Sequence, residues 1–440
     1  MATDFSVLLI SSVRWSSVTR LALTFLEEEV KVHTVCPRGH SLHCLKKIAT
    51  FRPYPVFQAV PVLANIISEL KPDLVIPADD RSVLDLHQVH QLADIKTDKK
   101  KICREILENS LGNPSAFSLV ETRLKLIKVL RAEGISTPKA ANMKSLDDVK
   151  TWCAHTPGPW VLKRDRSWGG SGVAIADTYA EMENAFTRLS NPVRSKSALR
   201  LLLADRDAHS FLDATLLRQP LPVMAQAHVE GSPANIMVAC WQGKVLDTRA
   251  VNVLAHQGRT GAATIVEITQ SDAMEHAARI TCQKLGLSGF FGLDFMRCAR
   301  TGTYHFIELN PRLTQIGHLS HKGSTLAHSL LHHIRKNTRP AFSGTPDPTV
   351  IALFPQILRA GMQSQSTIPA FIDIPWKYPE LVEELLQRPW SRRGYIARLE
   401  ERFRRNIPYG KSLEKHEAMA CLSTLARYGM TNFSPIATLT

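Results

Sequence analysis

Apolar residues recur along this chain with two different spacings, and the alternation between them predicts the first elements. Val7–Ile10 is a short apolar run closed by Ser11 and Ser12. Leu21, Leu23, Phe25 and Leu26 then follow a helical pattern, and Val30–Val35 is a second run. Another helical stretch ends at Leu70, ahead of Pro72-Asp73-Leu74-Val75-Ile76-Pro77. Short apolar runs separated by segments of helical period predict strands joined by helices, and so a parallel α/β sheet. Asp79 and Asp80 follow the third strand, at the end where open α/β sheets bind ligands. Plain turn chemistry is the favoured reading of that pair. The strands lack a G-x-G-x-x-G turn, so the pattern gives a Rossmann-like N-terminal domain without support for dinucleotide binding.

The pattern changes further on. Glu121–Gly134 reads as a helix with a glycine stop. Trp160–Lys163 and Val173–Ala176 read as strands joined by the turn Trp168-Gly169-Gly170-Ser171-Gly172, a hairpin with a flexible tip. Residues 191–222 are rich in Arg and Leu and predict no element. Val223–Val229 reads as a strand, Glu230-Gly231-Ser232-Pro233 as a turn, and Asn235–Ala239 with Val245–Val251 as an antiparallel pair. A helix over Asp272–Leu285 precedes strands at Gly289–Met296 and Tyr304–Leu309 and a helix over His321–Lys336.

The last two strands carry the clearest chemistry. Leu293 and Phe295 flank Asp294, and Ile307 and Leu309 flank Glu308. Side chains alternate across a strand, so each acid points away from its apolar neighbours. If the strands pair, both carboxylates face one cleft, and Asn310 and Arg312 lie on the same side as Glu308. Carboxylate and amide oxygens make a hard site suited to Mg²⁺ held chiefly through nucleotide phosphates. Lys163 and the Gly169–Gly172 turn add a point charge and a loop whose backbone N–H groups can approach phosphate. The order of Lys and glycines is not that of a Walker A loop. His256 and Arg259 lie in a Gly-containing loop, read as polar surface in preference to an acceptor site. His328 and His332 have metal-pair spacing but no third ligand in view, so a structural role is preferred.

Taken in order, Lys163, the Gly-rich hairpin, Gln226-Ala227-His228-Val229-Glu230-Gly231, the Asp294 strand and Glu308-Leu309-Asn310-Pro311-Arg312 resemble the ATP-grasp superfamily. Biotin carboxylase, the carbamoyl phosphate synthase large chain and amino acid ligases share this order of motifs. The resemblance implies a Rossmann-like domain over 1–115, an α+β ATP-grasp domain over 116–340 and a C-terminal extension over 341–440. It also implies roles. Arg123 and Lys163 would meet the nucleotide phosphates under a flap of Gly169, Gly170, Ser171 and Gly172. Gln226, Ala227, His228 and Val229 would hold adenine. Asp294, Glu308 and Asn310 would bind Mg²⁺, with Mn²⁺ as a substitute, and Arg312 would steady the substrate carboxylate. Two departures stand out: Gln226 occupies a position that is usually Glu, and Pro233, Ala234 and Asn235 offer no acid for the ribose.

The implied activity is ADP-forming ligation, in which a carboxylate is activated as an acyl phosphate and passed to an amine or similar nucleophile. Its alternatives are a bicarbonate-using carboxylase or carbamoyl-phosphate-type enzyme, and a non-catalytic ATP- or nucleic-acid-binding protein. Composition narrows these only slightly. The 440 residues are 44% hydrophobic and 21% charged, as in globular proteins, with no apolar run long enough to span a bilayer. The net charge of +14 is spread along the chain without a nucleic-acid-binding motif, so small-molecule carboxylate and nucleophile substrates are the expected partners. Eight scattered cysteines without C-x-x-C spacing and an N-terminus unlike a secretory signal point to a reduced, cytoplasmic setting. A homodimer is compatible with the resemblance.

Overall fold

The computed structural model describes residues 5–92, 98–165, 172–190, 222–258, 261–336, 348–359 and 368–387. The chain divides into two compact units. The first comprises Met1–Pro192, Gln219–Ala250 and Gln270–Asp347, and the second Val193–Arg218, Val251–Thr269 and Pro348–Thr440.

The first unit begins with β1 (Ser6–Ile10), α1 (Ser16–Glu27), β2 (Lys31–Cys36), β3 (Thr50–Pro53), α2 (Ala59–Leu70), β4 (Leu74–Pro77), α3 (Asp80–Leu92) and α4 (Asp98–Leu111). The strands form a four-stranded parallel sheet in the order β3-β2-β1-β4. Strand β1 is buried throughout, which is why it reads as a continuous apolar run rather than an alternating one. Strand β3 escapes the sequence pattern because Thr-Phe-Arg-Pro at a sheet edge carries a single large apolar residue. The order reverses between β1 and β4, and a crevice opens outside the carboxyl ends of two such strands. Asp79 stands there, accepting hydrogen bonds from Ser12 N (2.6 Å), Ser12 Oγ (2.7 Å), Ser82 N (3.0 Å) and Ser11 Oγ (3.1 Å).

Next come α5 (Phe117–Val120) and α6 (Arg123–Ala132), then β5 (Ala140–Met143), α7 (Leu146–His155), β6 (Trp160–Arg164), β7 (Val173–Ala176), α8 (Tyr179–Ser190) and β8 (Val223–Ala227). These four strands form an antiparallel sheet in the order β5-β8-β6-β7. Trp160, Leu162 and Ala225 bury one face with Met182 and Phe186 of α8. Alternation turns Lys163, opposite Met224, and Gln226, opposite Val161, to the other face.

Strands β9 (Gly231–Trp241) and β10 (Lys244–His256) are neighbours joined through Gln242 and Gly243, both at positive φ. Two positive φ values in a two-residue link match the twist of a hairpin. After β11 (Ala263–Thr269), which belongs to the second unit, the first resumes with α9 (Asp272–Leu285), β12 (Gly289–Cys298), β13 (Tyr304–Asn310) and α10 (Leu326–Arg335). Strand β12 lies antiparallel to β9 on one side and β13 on the other. Phe291, Leu293, Phe295 and Phe306 pack against Leu126 and Leu130 of α6 and Met274 and Leu285 of α9 in one core. Helix α9 is closed at both ends: Ser271 Oγ accepts from Met274 N, and Gly286 ends it at φ +57°.

Two expectations are corrected. Gly231, Ser232 and Pro233 are not a turn but the first residues of β9, opposite Cys298, Arg297 and Met296. Cross-strand pairing here overrides local turn preference. The helix expected from His321 starts only at Leu326, capped by the Thr325 hydroxyl accepting from His328 N (3.1 Å), because His321 and Ser324 pair as a bridge instead.

In the second unit, β11 pairs antiparallel with β14 (Val350–Ala352), which pairs parallel with β15 (Phe371–Ile372). Two helices, α11 (Gln356–Arg359) and α12 (Pro379–Leu386), complete its described elements. Among the described residues no helix is long and apolar enough to cross a membrane, and every cysteine is free.

Candidate functional site

Strands β12 and β13 bring the two acids together. Asp294 stands directly opposite Glu308, and the register shifts immediately beyond, where Phe295 faces Phe306 and Ile307 has no partner. Such a bulge re-aims side chains, and here it lets Phe295 and Phe306 both stay in the core while both acids face outward. Asp294 accepts from Asn235 Nδ2 (2.7 Å) and Asn310 Nδ2 (2.9 Å). Burial, with Glu308 adding to it, pushes the Asp294 carboxyl up to about 6. Burial also acts to raise Glu308, but Arg123, Lys163 and Arg312 together outweigh it and hold that group below the usual glutamate value. The surrounding cations thus favour the charged form of Glu308, and burial favours the protonated form of Asp294.

Two cations flank Glu308. Arg123 Nε is 3.4 Å and Lys163 Nζ 3.9 Å from its Oε2. Arg123 opens α6, and its Nη1 donates to Arg164 O at 2.6 Å, which ties the helix to β6. Lys163 is buried, and that burial lowers its pKa against the opposing pull of Glu308. A buried ammonium this close to a carboxylate is a charge in search of more anionic partners.

Arg312 lies just past β13 and adds its charge to theirs in lowering Glu308. Its Nε donates to Asp80 Oδ2 (2.9 Å), its Nη2 to Asn310 Oδ1 (3.1 Å) and its Nη1 to Leu313 O (3.2 Å). Its guanidinium carbon lies 4.9 Å from the centre of the Trp15 ring. A guanidinium has five N–H donors, and among the described residues these three bonds use three of them. Burial raises the Asp80 carboxyl, with Arg312 opposing that rise.

Gln226 lies on β8, on the same sheet face as Lys163, and is 2% exposed. Its side-chain nitrogen is buried without a hydrogen-bond partner. An unmet buried amide is costly, and a purine ring nitrogen would satisfy it. Ala227 N donates to Lys139 O (2.9 Å) and His228 N to Pro159 O (3.2 Å), so the chain leaves the sheet at His228 and Val229. Gly172 O accepts from Arg164 N at 2.9 Å at the base of the hairpin. Gly169, Gly170 and Ser171 lie outside the described residues, as does Arg259.

The structure therefore gathers Arg123, Lys163, Asp294, Glu308, Asn310 and Arg312 into one network, with Gln226 on the adjoining sheet. It adds three residues that the sequence reading did not assign to the site. Asn235 lies opposite Asp294, a partner that strand register alone reveals. Trp15 carried no signal. Asp80 did have one, its place at a strand end, and the preference for turn chemistry fits Asp79 but not Asp80. His328 is not part of this network: it bonds Glu28 at 2.9 Å and stacks on His332. Among the described residues no group of three or more His, Cys, Asp or Glu could hold a metal, so cation binding here needs the Asn oxygens or a ligand's own.

This constellation coincides with a family match: the ATP-grasp domain family matches residues 120–315. Residues 120–315 are an ATP-grasp domain. Among solved structures, the fold resembles the biotin carboxylase domain of Hydrogenobacter thermophilus 2-oxoglutarate carboxylase, with TM-score 0.54 and 13% identity over 78% of this chain and 72% of that one. Biotin carboxylase from Campylobacter jejuni gives TM-score 0.54 and 14% identity, covering 78% and 74% of the two chains. N5-carboxyaminoimidazole synthetase from Staphylococcus aureus gives 0.53 and 12%, covering 77% and 80%. No curated protein sequence matches the chain.

Proposed function

We propose that the protein is an ADP-forming ligase that activates a carboxylate with Mg-ATP as an acyl phosphate and transfers the acyl group to an amine or similar nucleophile. One observation carries this reading: Glu308 has Arg123 and Lys163 at 3.4 and 3.9 Å, and Arg312, bonded to Asn310 at 3.1 Å, adds its charge to theirs. Phosphate oxygens would replace Glu308 as the partners of Arg123 and Lys163. The two remaining donors of Arg312 match a bidentate carboxylate. The unmet amide of Gln226 supports an adenine at that edge of the sheet.

The oxygen donors of Asp294, Glu308 and Asn310 would hold Mg²⁺, which would supply positive charge to offset that of the phosphates. The Hydrogenobacter neighbour was solved with MgADP and bicarbonate, which supports a magnesium nucleotide for this fold. Lys163 and Arg123 neutralise the nucleotide tail so that a second anion can approach. Arg312 orients the acid so that a carboxylate oxygen attacks the terminal phosphorus while the bond to the departing oxygen breaks and ADP leaves with the electron pair. The nucleophile then attacks the carbonyl carbon, the C–O bond to phosphate breaks, and phosphate leaves as the amine sheds a proton. A reduced intracellular setting and small-molecule partners fit such chemistry.

The test is turnover of Mg-ATP with pools of carboxylic acids, with and without amino acids, and with hydroxylamine to trap acyl phosphate as hydroxamate. ADP and an acid-dependent hydroxamate, both lost in Glu308→Ala, are expected. AMP and pyrophosphate would overturn the mechanism. ADP release driven by bicarbonate alone would move the protein to the carboxylase branch. Salt-sensitive RNA or DNA binding without turnover would make it a binding protein.

A further inference from the structure

The reading above makes Arg312 the residue that aims the acid, and the structure shows what aims Arg312. Asp80 lies 232 residues earlier in the chain, at the first position of α3, where β4 ends beside the reversal in strand order. Its Oδ2 takes the Nε edge of the guanidinium at 2.9 Å. Two further contacts come from the same corner of the sheet. Leu313 N donates to Pro77 O, the last residue of β4, at 3.4 Å, so the backbone beside Arg312 is tied to the same turn. Trp15, between β1 and α1, covers the guanidinium at 4.9 Å. Asp79, the neighbouring acid, spends its oxygens on Ser11, Ser12 and Ser82 and holds the turn itself in shape.

We propose that Asp80 is the positioning residue for Arg312: the β4–α3 turn of the N-terminal module fixes the plane of the guanidinium so that its two unspent donors meet the acid. This rests on Arg312 being the carboxylate-binding residue. The physical reason is rotamer freedom. A long arginine side chain anchored at one edge and stacked on one face loses its alternatives before substrate arrives, and fixed donors aim better than mobile ones. Without Asp80, Asn310 and Leu313 still hold the Nη atoms, but both sit on the same strand end as Arg312 and move with it. Among the described residues, Asp80 supplies the one side-chain hydrogen bond to the guanidinium from a different element.

The test uses the full chain and reads the phosphoryl-transfer half-reaction backwards. MgADP and acetyl phosphate are the probes, and they give ATP and acetate, with ATP followed by luciferase. Asp80→Ala is expected to lose about 100-fold in kcat/KM for acetyl phosphate, the order that a small misplacement costs, with the KM for MgADP unchanged. Asp80→Asn, which keeps an oxygen acceptor, is expected to recover most of that loss. A crystal structure of Asp80→Ala should show the Arg312 guanidinium displaced from its wild-type position against Trp15. A wild-type-like Asp80→Ala variant, an equal rise in the MgADP KM, or an Arg312 unmoved in the crystal would each overturn the proposal. If the wild type makes no ATP, the functional reading loses its support and the position of Arg312 in the Asp80→Ala crystal decides the proposal by itself.

Discussion

Lys163 and Asp294 are two site residues whose burial opposes their charge, and each yields a prediction. Lys163 is buried and its pKa lowered by that burial, so its ammonium depends on the anions around it. A charge-assisted hydrogen bond contributes about 1.5–3 kcal/mol. Lys163→Ala should therefore weaken MgADP binding by roughly 10- to 100-fold in a calorimetric titration, whereas unchanged affinity would remove Lys163 from the nucleotide site. Asp294 titrates at about 6 because burial and Glu308 raise it. In the metal-free protein the folded state then holds a proton that the unfolded chain has released, from the ordinary aspartate value up to about 6. The contribution of Asp294 to stability accordingly falls as pH rises through that window. Cation binding has the opposite sense, since it needs the carboxylate. Mn²⁺ affinity measured by electron paramagnetic resonance should drop as pH is lowered through about 6, and Asp294→Asn should flatten that profile. A profile already flat in the wild type would show that Asp294 is not a ligand.

The β12–β13 pair is the element on which the site depends. Its strands were legible because Asp294 and Glu308 each interrupt an apolar alternation, and pairing puts them opposite one another. The register shift beside Asp294 was not legible, since Phe295 and Ile307 look alike to any pattern that records only apolarity. Phe306 is completely buried between β12 and the helices behind it. Phe306→Ala should cost about 3–5 kcal/mol, read as a lower midpoint in denaturant, and should carry cation affinity down with it. A stable variant that had lost only the cation would mean that the hairpin is held by other contacts. Helix α9 gives a smaller counterpart: Ser271→Ala removes the bond to Met274 N and should cost about 1 kcal/mol without touching nucleotide binding.

At the scale of the whole molecule, the proposed nucleotide site draws on α6, β6, β8, β12 and β13, so a ligand there should brace the first unit. MgADP at 100 times its dissociation constant stabilises by about 2.7 kcal/mol. The thermal midpoint should rise accordingly with MgADP and return toward that of the free protein on adding EDTA. A rise that EDTA leaves intact would mean that the nucleotide binds without the cation. The sequence by itself determined the alternation of strands and helices and the order Lys163, Gln226, Asp294, Glu308, Asn310, Arg312, because strand and helix periods record which face is buried and motif spacing records which residues share it. Only the tertiary structure decided that Asp80 and Trp15 reach Arg312, that Asn235 holds Asp294, and that Gln226 keeps a buried amide unmet. Those facts depend on how distant elements dock. A local period fixes the face a side chain takes on its own element, and leaves open which residue of another element it meets.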